Sequence, residues 1–345
     1  MGDKQAAANP TQELLTAAQH GDERAFAELL GGFRGELHAH CYRMLGSIHD
    51  ADDAWQEVLL RAWRGVSGFE GRSSFRRWMY RVATNVCLTM IAQRAKRVLP
   101  IDLSPAANAG DGLGEPLAES VWLEPYPDSM PQAFDSRFSP DAHMERRENI
   151  ELAFVAAVQH LPGNERAALL LREVIGFSAR EVAELVNATV PAVNSALQRA
   201  RRIVDDHIQG HSPRSTVRAI GDTRLRETVD AYIDAFERGD VDALVALLTE
   251  DATWSMPPVP TWYRGLAAIT AFLNEGPVRT RWRHLSTVAN GQPAVGCYMW
   301  DPQRQRYEAK VLDVLTLRGE RIAAVTAFID GRLFPRFGLP ETLPT

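Results

Sequence analysis

A chain of 345 residues, 45% hydrophobic and 24% charged, has room for two or three domains with ordinary cores. It contains no run of about 18 uncharged apolar residues that could span a membrane. Its first residues (MGDKQAAANP) lack the apolar centre of a secretory signal, so a cytoplasmic protein is expected. Cys41, Cys87 and Cys297 are far apart and form no CxxC pair, which argues against a disulfide framework or a zinc site, and no metal or cofactor is expected. The formal net charge is −6, but the charges are unevenly distributed, and nucleic acid responds to local patches rather than to the mean.

Residues 1–10 are small and polar, and are expected to be disordered. From Glu13 to Gly46 the apolar spacing is helical, broken at Gly21-Asp22. Asp50, Asp52 and Asp53 then load the first turn of another helix, where the helix dipole favours negative charge. In that helix Trp55, Val58, Leu59, Ala62 and Trp63 fall at i, i+3, i+4, i+7, i+8 and line one face. A short Gly/Ser-rich loop follows. Ser73 or Ser74 is the expected N-cap of the next helix, whose apolar stripe is Phe75, Trp78, Met79, Val82, Val86 and Met90. Its other face carries Arg77, Arg81 and Asn85 at spacing four, with Arg76 beside them. From Arg61 to Val98 there are nine Lys/Arg residues and one acid, Glu70. Such a face, entered through a polar loop and flanked by aromatics, suits phosphate contact plus stacking on unpaired bases.

Residues 99–145 hold seven prolines and nine acids against one base, Arg137, and read as an extended or disordered linker. The helical pattern returns from Arg146 to Ile208. Ile150, Phe154, Val155 and Val158 mark one helix, and Asn164 to Ile175 a second. After Gly176, Ser178 and Glu181 form a capping box that opens a short helix ending near Asn187. Thr189 is the expected N-cap of the last helix, with Pro191 tolerated in its first turn. Val193, Leu197, Ala200 and Val204 form its apolar face; Asn194, Ser195, Gln198, Arg199 and Arg202 form its open one. No acid occurs between Thr189 and Val204. Two helices joined by a tight turn, the second with a polar and basic outer face, is a helix-turn-helix whose residue types bond to base edges and phosphates.

Residues 210–221 read as a second linker. Beyond them Leu225, Val229, Ile233 and Phe236 predict a helix ending at Arg238-Gly239, and Asp240 caps another over Val241 to Leu248. Strand-like residues begin at Asp251, and Gly265 to Leu273 reads as helix. Four short β segments follow: Arg281–Ala289, Ala294–Trp300, Tyr307–Leu317 and Arg321–Phe328. Helices first and a meander of antiparallel strands after them predict an α+β domain with helices on one face of a curved sheet. Trp254, Met256, Trp262, Tyr263, Trp282 and Tyr298 are the candidate lining of a pocket for an unidentified small molecule. His284, Asp301, Asp313 and Tyr263 are the groups that could supply acid–base chemistry there, although no catalytic residue is assigned.

The stretches DADDAWQEVLLRAW and FEGRSSFRRWMYRVATN resemble region 2 of extracytoplasmic-function (ECF) sigma factors. LPGNERAALLLREVIGFSAREVAELVNATVPAVNSALQRARR resembles their region 4. The tail around EDATWSMPPVPTWYRG looks like a SnoaL-like, ketosteroid-isomerase-like cone. The resemblance implies a multidomain chain: an all-α region 2 (12–98), the linker (99–145), an all-α region 4 (146–209) and an α+β SnoaL-like domain (222–338). It implies RNA polymerase core and promoter DNA as partners, with no membrane involved. Asp53, Gln56, Glu57, Leu60 and Trp63 would dock on the β′ clamp helices, and a β flap contact is expected as well. Phe69, Ser73, Ser74, Arg76, Arg77, Trp78, Arg81 and Asn85 would melt and hold the −10 element. Ser178, Arg180, Pro191, Asn194, Ser195, Gln198, Arg199 and Arg202 would read the −35 element. The linker would thread toward the RNA exit path.

The function expected is promoter-specific initiation modulated by the fused domain. Two alternatives remain open at this stage: a polymerase-independent helix-turn-helix regulator, and a cyclase or isomerase with a DNA-binding appendage.

Overall fold

The computed structural model describes residues 10–108, 110–118, 121–128, 151–208 and 216–344. The expectations for the N-terminal tail, the second half of the acidic linker, Ile150 and residues 210–215 lie outside the described residues. The chain separates into two compact units, one built from residues up to 94 together with 162–200, the other from 95–128, 151–161 and 201 onward.

In the first unit α1 (Pro10–Gln19), α2 (Glu23–Gly31), α3 (Arg34–Leu45), α4 (Ile48–Val66) and α5 (Phe75–Gln93) form a bundle. Gly21 takes a positive φ, and the Asp22 carboxylate then caps α2 by accepting from the amides of Arg24 and Ala25. Ser47 caps α4, and Ser74 rather than Ser73 caps α5. The buried stripes are those of the spacing: Trp55, Val58 and Ala62 on α4, and Phe75, Trp78, Met79 and Val86 on α5. α6 (Leu152–Gln159) belongs to the second unit; the first continues with α7 (Gly163–Leu169), a π-helical turn over Leu170–Val174, α8 (Ala179–Leu185) and α9 (Val190–Ile208) as far as residue 200. The segment resembling region 2 and much of that resembling region 4 therefore share one unit. Within it the buried Arg166 guanidinium donates to the Met44 carbonyl oxygen, and burial lowers its pKa to about 10.

The second unit is organised on a mixed sheet. Its helices are α10 (Thr216–Arg238), α11 (Val241–Ala246) and α12 (Leu266–Glu275). Its strands are β1 (Leu248–Ser255), β2 (Trp262–Arg264), β3 (Trp282–Ala289), β4 (Gln292–Asp301), β5 (Arg306–Arg318), β6 (Arg321–Phe328) and β7 (Thr342–Leu343). The order is β2-β1-β6-β5-β4-β3, with β7 added on β5. The four expected β segments are all present; the parallel pairing of β1 with β6 is not a hairpin feature and left no local signal. α10 begins at Thr216, so the end of the expected second linker is helical. One face of the sheet closes on the helices through Tyr232, Phe236, Trp254, Phe272, Leu315 and Val325.

The acidic linker is extended as expected; residues 110–118 are exposed, but 121–128 are packed rather than solvated. Trp122, Leu123 and Tyr126 are buried. The Ala107 amide donates to the Trp262 carbonyl, the Leu117 amide to Pro258, and Tyr126 and Asn290 exchange two hydrogen bonds of 2.8 Å. Proline-rich chain without regular structure satisfies its polar backbone by pairing with loops and strand ends instead. The composition obscured this, because three buried aromatics and leucines are diluted among many acids.

Candidate nucleic-acid interface

α4 presents Asp53, Gln56 and Leu60 on one exposed stripe, with Leu60 52% accessible. Glu57 is held by Arg61 at 2.6 Å, and Trp63 is half-buried with its ring 5.0 Å from Phe26. Asp53 also lies 3.4 Å from Arg94, whose guanidinium pairs with the buried Asp50. An exposed leucine ringed by carboxylates and an amide is a small apolar spot with a polar rim, the anatomy of a docking surface.

The loop between α4 and α5 folds back on itself around Gly71, which takes a positive φ. The Gln19 side-chain amide donates to the Phe69 carbonyl at 2.7 Å and pins the loop to α1. Phe69, Phe75 and Trp78 form a three-ring cluster with centroids 5.5 to 5.8 Å apart. Above it the loop borders an open cleft of about 210 Å3, with Gly68, Glu70, Arg72, Ser73, Trp78 and Arg81 in its wall. Trp78 is only 8% accessible, so it belongs to the core and also lines this cleft.

The arginines of α5 divide into two groups. Arg81 and Asn85 are exposed. Arg76 turns inward, bidentate to Glu36 (2.8 and 3.1 Å) with its guanidinium 4.9 Å above the Tyr80 ring and 5.6 Å from that of Phe177. Arg77 reaches α8, 3.1 Å from Glu184 and 3.7 Å from Glu181. The α5 surface is thus partly occupied by carboxylates of the same unit, and Arg76 does not share the open face with Arg81 and Asn85. Adjacent residues on a helix point about 100° apart, which explains the separation.

The helix-turn-helix forms as its sequence prescribes. Ser178 and Glu181 close a reciprocal capping box, with 2.9 and 3.3 Å hydrogen bonds. The amide and hydroxyl of Ser178, with Arg77 adding to them, hold the Glu181 carboxyl below its usual range. Asn187 turns the chain at a φ of 52°, and the Thr189 hydroxyl accepts from the Ala192 amide to start α9. Val193, Leu197, Ala200 and Val204 are buried. Pro191, Asn194, Ser195, Gln198, Arg199 and Arg202 are exposed, as are Ser178 and Arg180. Arg199 is tied to Glu165 at 2.7 Å.

The six candidate pocket residues of the sheet domain do not converge. Trp254, Met256, Tyr263 and Trp282 pack inside the cone. Trp262 points to the opposite face, where its indole donates to the Ser104 carbonyl, and Tyr298 donates to Pro340 beside the Phe334 ring. Strand alternation requires this: Trp262 neighbours Tyr263, and Tyr298 neighbours the inward Cys297. Asp313 is enclosed in the cone, accepting from the Tyr232 hydroxyl at 2.9 Å and the Cys297 thiol at 3.2 Å, and burial raises its pKa to about 6. His284 is buried 3.4 Å from Glu237, and desolvation lowers its pKa to about 4. Asp301 lies at the β4–β5 turn and caps the amides of Gln303 and Arg304.

Family models match three segments: Sigma-70 region 2 over residues 29–97, Sigma-70 region 4 over 151–204, and a SnoaL-like domain over 229–325. The chain is 42% identical over 335 residues to the ECF RNA polymerase sigma factor SigG of Mycobacterium tuberculosis, covering 94% of this chain and 86% of that protein. This chain is an ECF RNA polymerase sigma factor. The helical part alone is 27% identical over 198 residues to the ECF RNA polymerase sigma-E factor of Escherichia coli (57% of this chain, 94% of that one). The fold resembles that of the M. tuberculosis ECF sigma factor SigJ, with a TM-score of 0.58 at 20% identity over 91% of this chain and 99% of that one. Among the described residues of this sigma factor, no helix is long and apolar enough to cross a membrane. Sequence reasoning missed Glu36, Glu181 and Glu184 as neighbours of the α5 arginines. Only the capping role of Glu181 was readable, because the others meet their partners through tertiary packing.

Proposed function

We propose that in this sigma factor residues 12–98 bind core polymerase and the −10 element and that 146–209 bind the −35 element. The SnoaL-like domain, 222–338, regulates initiation and does not catalyse a reaction. The observation that carries the reading is the loop cleft over Trp78. A base drawn out of the duplex costs a few kcal/mol to unstack. A cleft of about 210 Å3 with an aromatic floor and Arg81 at its wall can return about 1–3 kcal/mol by stacking, and the cation neutralises the adjoining phosphate. The exposed stripe of Asp53, Gln56 and Leu60 supports docking on the β′ clamp helices. The open, acid-free face of α9 supports major-groove contact by Asn194, Ser195 and Gln198. Against catalysis stands the state of Asp313, whose carboxylate is already engaged by Tyr232 and Cys297.

The test is transcription in vitro by core polymerase with the full-length protein, followed by mapping of unpaired thymines in the −10 region. Promoter-specific transcripts with an open −10 element are expected, and Arg81→Ala should reduce opening more than it reduces closed-complex formation. No promoter-specific transcript would overturn the reading. For the regulatory role, deleting residues 222–345 should change transcript yield, and an unchanged yield would remove that role.

A further inference from the structure

The outward face of the sheet carries an unusual set of residues. Thr253 and Ser255 on β1, Thr316 on β5 and Thr326 on β6 alternate with the inward Trp254, Leu315 and Val325, and all four are more than nine-tenths buried. The register sets them side by side: Ser255 pairs with Thr326, while Thr253 and Thr316 flank Ala324. Within the same unit, this face looks onto linker residues Leu99 and Ile101 and onto α6 through Leu152 and Ala156. The surfaces do not close on each other. A cavity of about 230 Å3 separates them, in a class of molecule whose interiors normally leave few voids larger than a water.

The polar groups around the cavity are unequally satisfied. The Thr316 hydroxyl accepts from the Gln292 amide at 2.9 Å, and the Gln292 carbonyl oxygen accepts from the Leu152 amide at 2.9 Å, which fastens the start of α6 to the sheet. At one edge His160 is 3.0 Å from Asp102 and its other ring nitrogen is 2.7 Å from Lys96, so these charges neutralise one another. Thr253, Ser255 and Thr326 line the cavity, and their hydroxyls are not among the fully enclosed unpaired polar atoms, so they are reached from the cavity. Buried hydroxyls are ordinarily paired. Three hydroxyls facing one cavity, under an apolar roof, are open to hydrogen-bonding groups from whatever occupies it.

We propose that this cavity binds a small, uncharged ring compound of one or two fused rings with a hydroxyl or carbonyl group on its edge. The size sets the upper limit, since an engineered cavity of roughly 150 Å3 holds benzene. The apolar roof favours the rings, the hydroxyl row favours the polar edge, and at the charged edge Asp102 and Lys96 are both engaged by His160, on which His207 stacks, which favours an uncharged ligand. The site is on the side of the sheet away from the cone interior. A bound ligand touches residues 99–102 and α6, the latter inside the region 4 match of 151–204, and so links ligand occupancy to the segments flanking the DNA-binding helices. The site uses none of the residues assigned above to DNA or polymerase, so it stands or falls separately.

Full-length protein titrated with 2-naphthol should show saturable binding to a single site, with a Kd below about 1 mM. Ala156→Phe, which fills the cavity, should abolish binding while the melting temperature stays near that of the parent; should that variant not fold, Ala153→Leu is the substitute. Thr326→Val keeps the volume and removes one hydroxyl. It should weaken 2-naphthol by about three- to tenfold and leave naphthalene unchanged. Hydrogen exchange of amides in 99–103 and 152–160 should slow when 2-naphthol is present. Absence of saturable binding up to about 1 mM would overturn the proposal and leave the cavity to water. Undiminished binding in the filled variant would also overturn it, by placing the ligand elsewhere.

Discussion

α5 and α9 are both 19-residue helices with basic outer faces, yet they meet solvent differently. On α9 the face of Pro191, Asn194, Ser195, Gln198 and Arg202 is open, and Arg199 alone among the assigned residues has a carboxylate, Glu165. On α5, Arg76 is committed to Glu36 and two aromatic rings, Arg77 to Glu181 and Glu184, and Trp78 to the core, which leaves Arg81 and Asn85 exposed. On the proposed reading α9 reads closed duplex and can remain ready, whereas α5 holds melted strand and is better kept partly satisfied until a promoter competes for it. The acids that satisfy Arg77 belong to the first helix of the helix-turn-helix, so withdrawal of region 4 toward its own DNA element would release Arg77.

The comparison breaks most severely at Trp78. Trp78→Ala removes the floor of the loop cleft and the centre of the ring cluster with Phe69 and Phe75, and should cost about 3–5 kcal/mol of stability as well as promoter opening. Thermal unfolding measures the first loss. Trp78→Phe should restore most of the stability, and if opening returns fully with it, the indole has no role beyond packing. A smaller effect is expected at the contact with α8. Glu181→Gln with Glu184→Gln keeps the capping box, since glutamine also serves there, and removes both negative charges facing Arg77. Because these are partly exposed ion pairs, each worth about 0–1 kcal/mol, the free protein should bind single-stranded −10 DNA about two- to fivefold more tightly. Equal affinity in parent and variant would mean that the acids do not restrain Arg77.

How far the sequence reveals each helix follows from the same contrast. Apolar spacing identified the buried faces of α4, α5 and α9, and the caps at Ser178 and Thr189, and the cap of α5 to within Ser73 or Ser74, were readable because capping is local. The exposed face of α9 was legible for the same reason: apart from Glu165 on Arg199, nothing distant covers its assigned residues. On α5 the outcome depends on Glu36, 40 residues before Arg76, and on Glu184, more than 100 residues after Arg77, and no local pattern encodes such pairs. The sheet domain repeats the lesson. Its strands were legible from alternation, but grouping Trp262 and Tyr298 with the cone interior neglected the parity that sends them to the other face. The packing of Trp122 and Tyr126 was likewise hidden by the acidic composition around them.

The smallest expected effect is also the one that separates the two arginines of α9. Arg202 is exposed with no ionic partner among the described residues, so a phosphate contact made by it displaces only counterions. Arg202→Ala should lower the slope of log K against log salt by about 0.9 for a duplex −35 element, one phosphate's worth, and weaken binding uniformly across sequences. Arg199 must first leave Glu165, and added salt weakens that internal pair as well as the DNA contact. Arg199→Ala should therefore change the slope by less than Arg202→Ala. Salt titrations of the two variants, each bound to the same duplex through intact polymerase holoenzyme, give the comparison directly. Equal slope changes would mean that Glu165 does not hold Arg199 in solution, and an unchanged slope for Arg202→Ala would remove its phosphate contact.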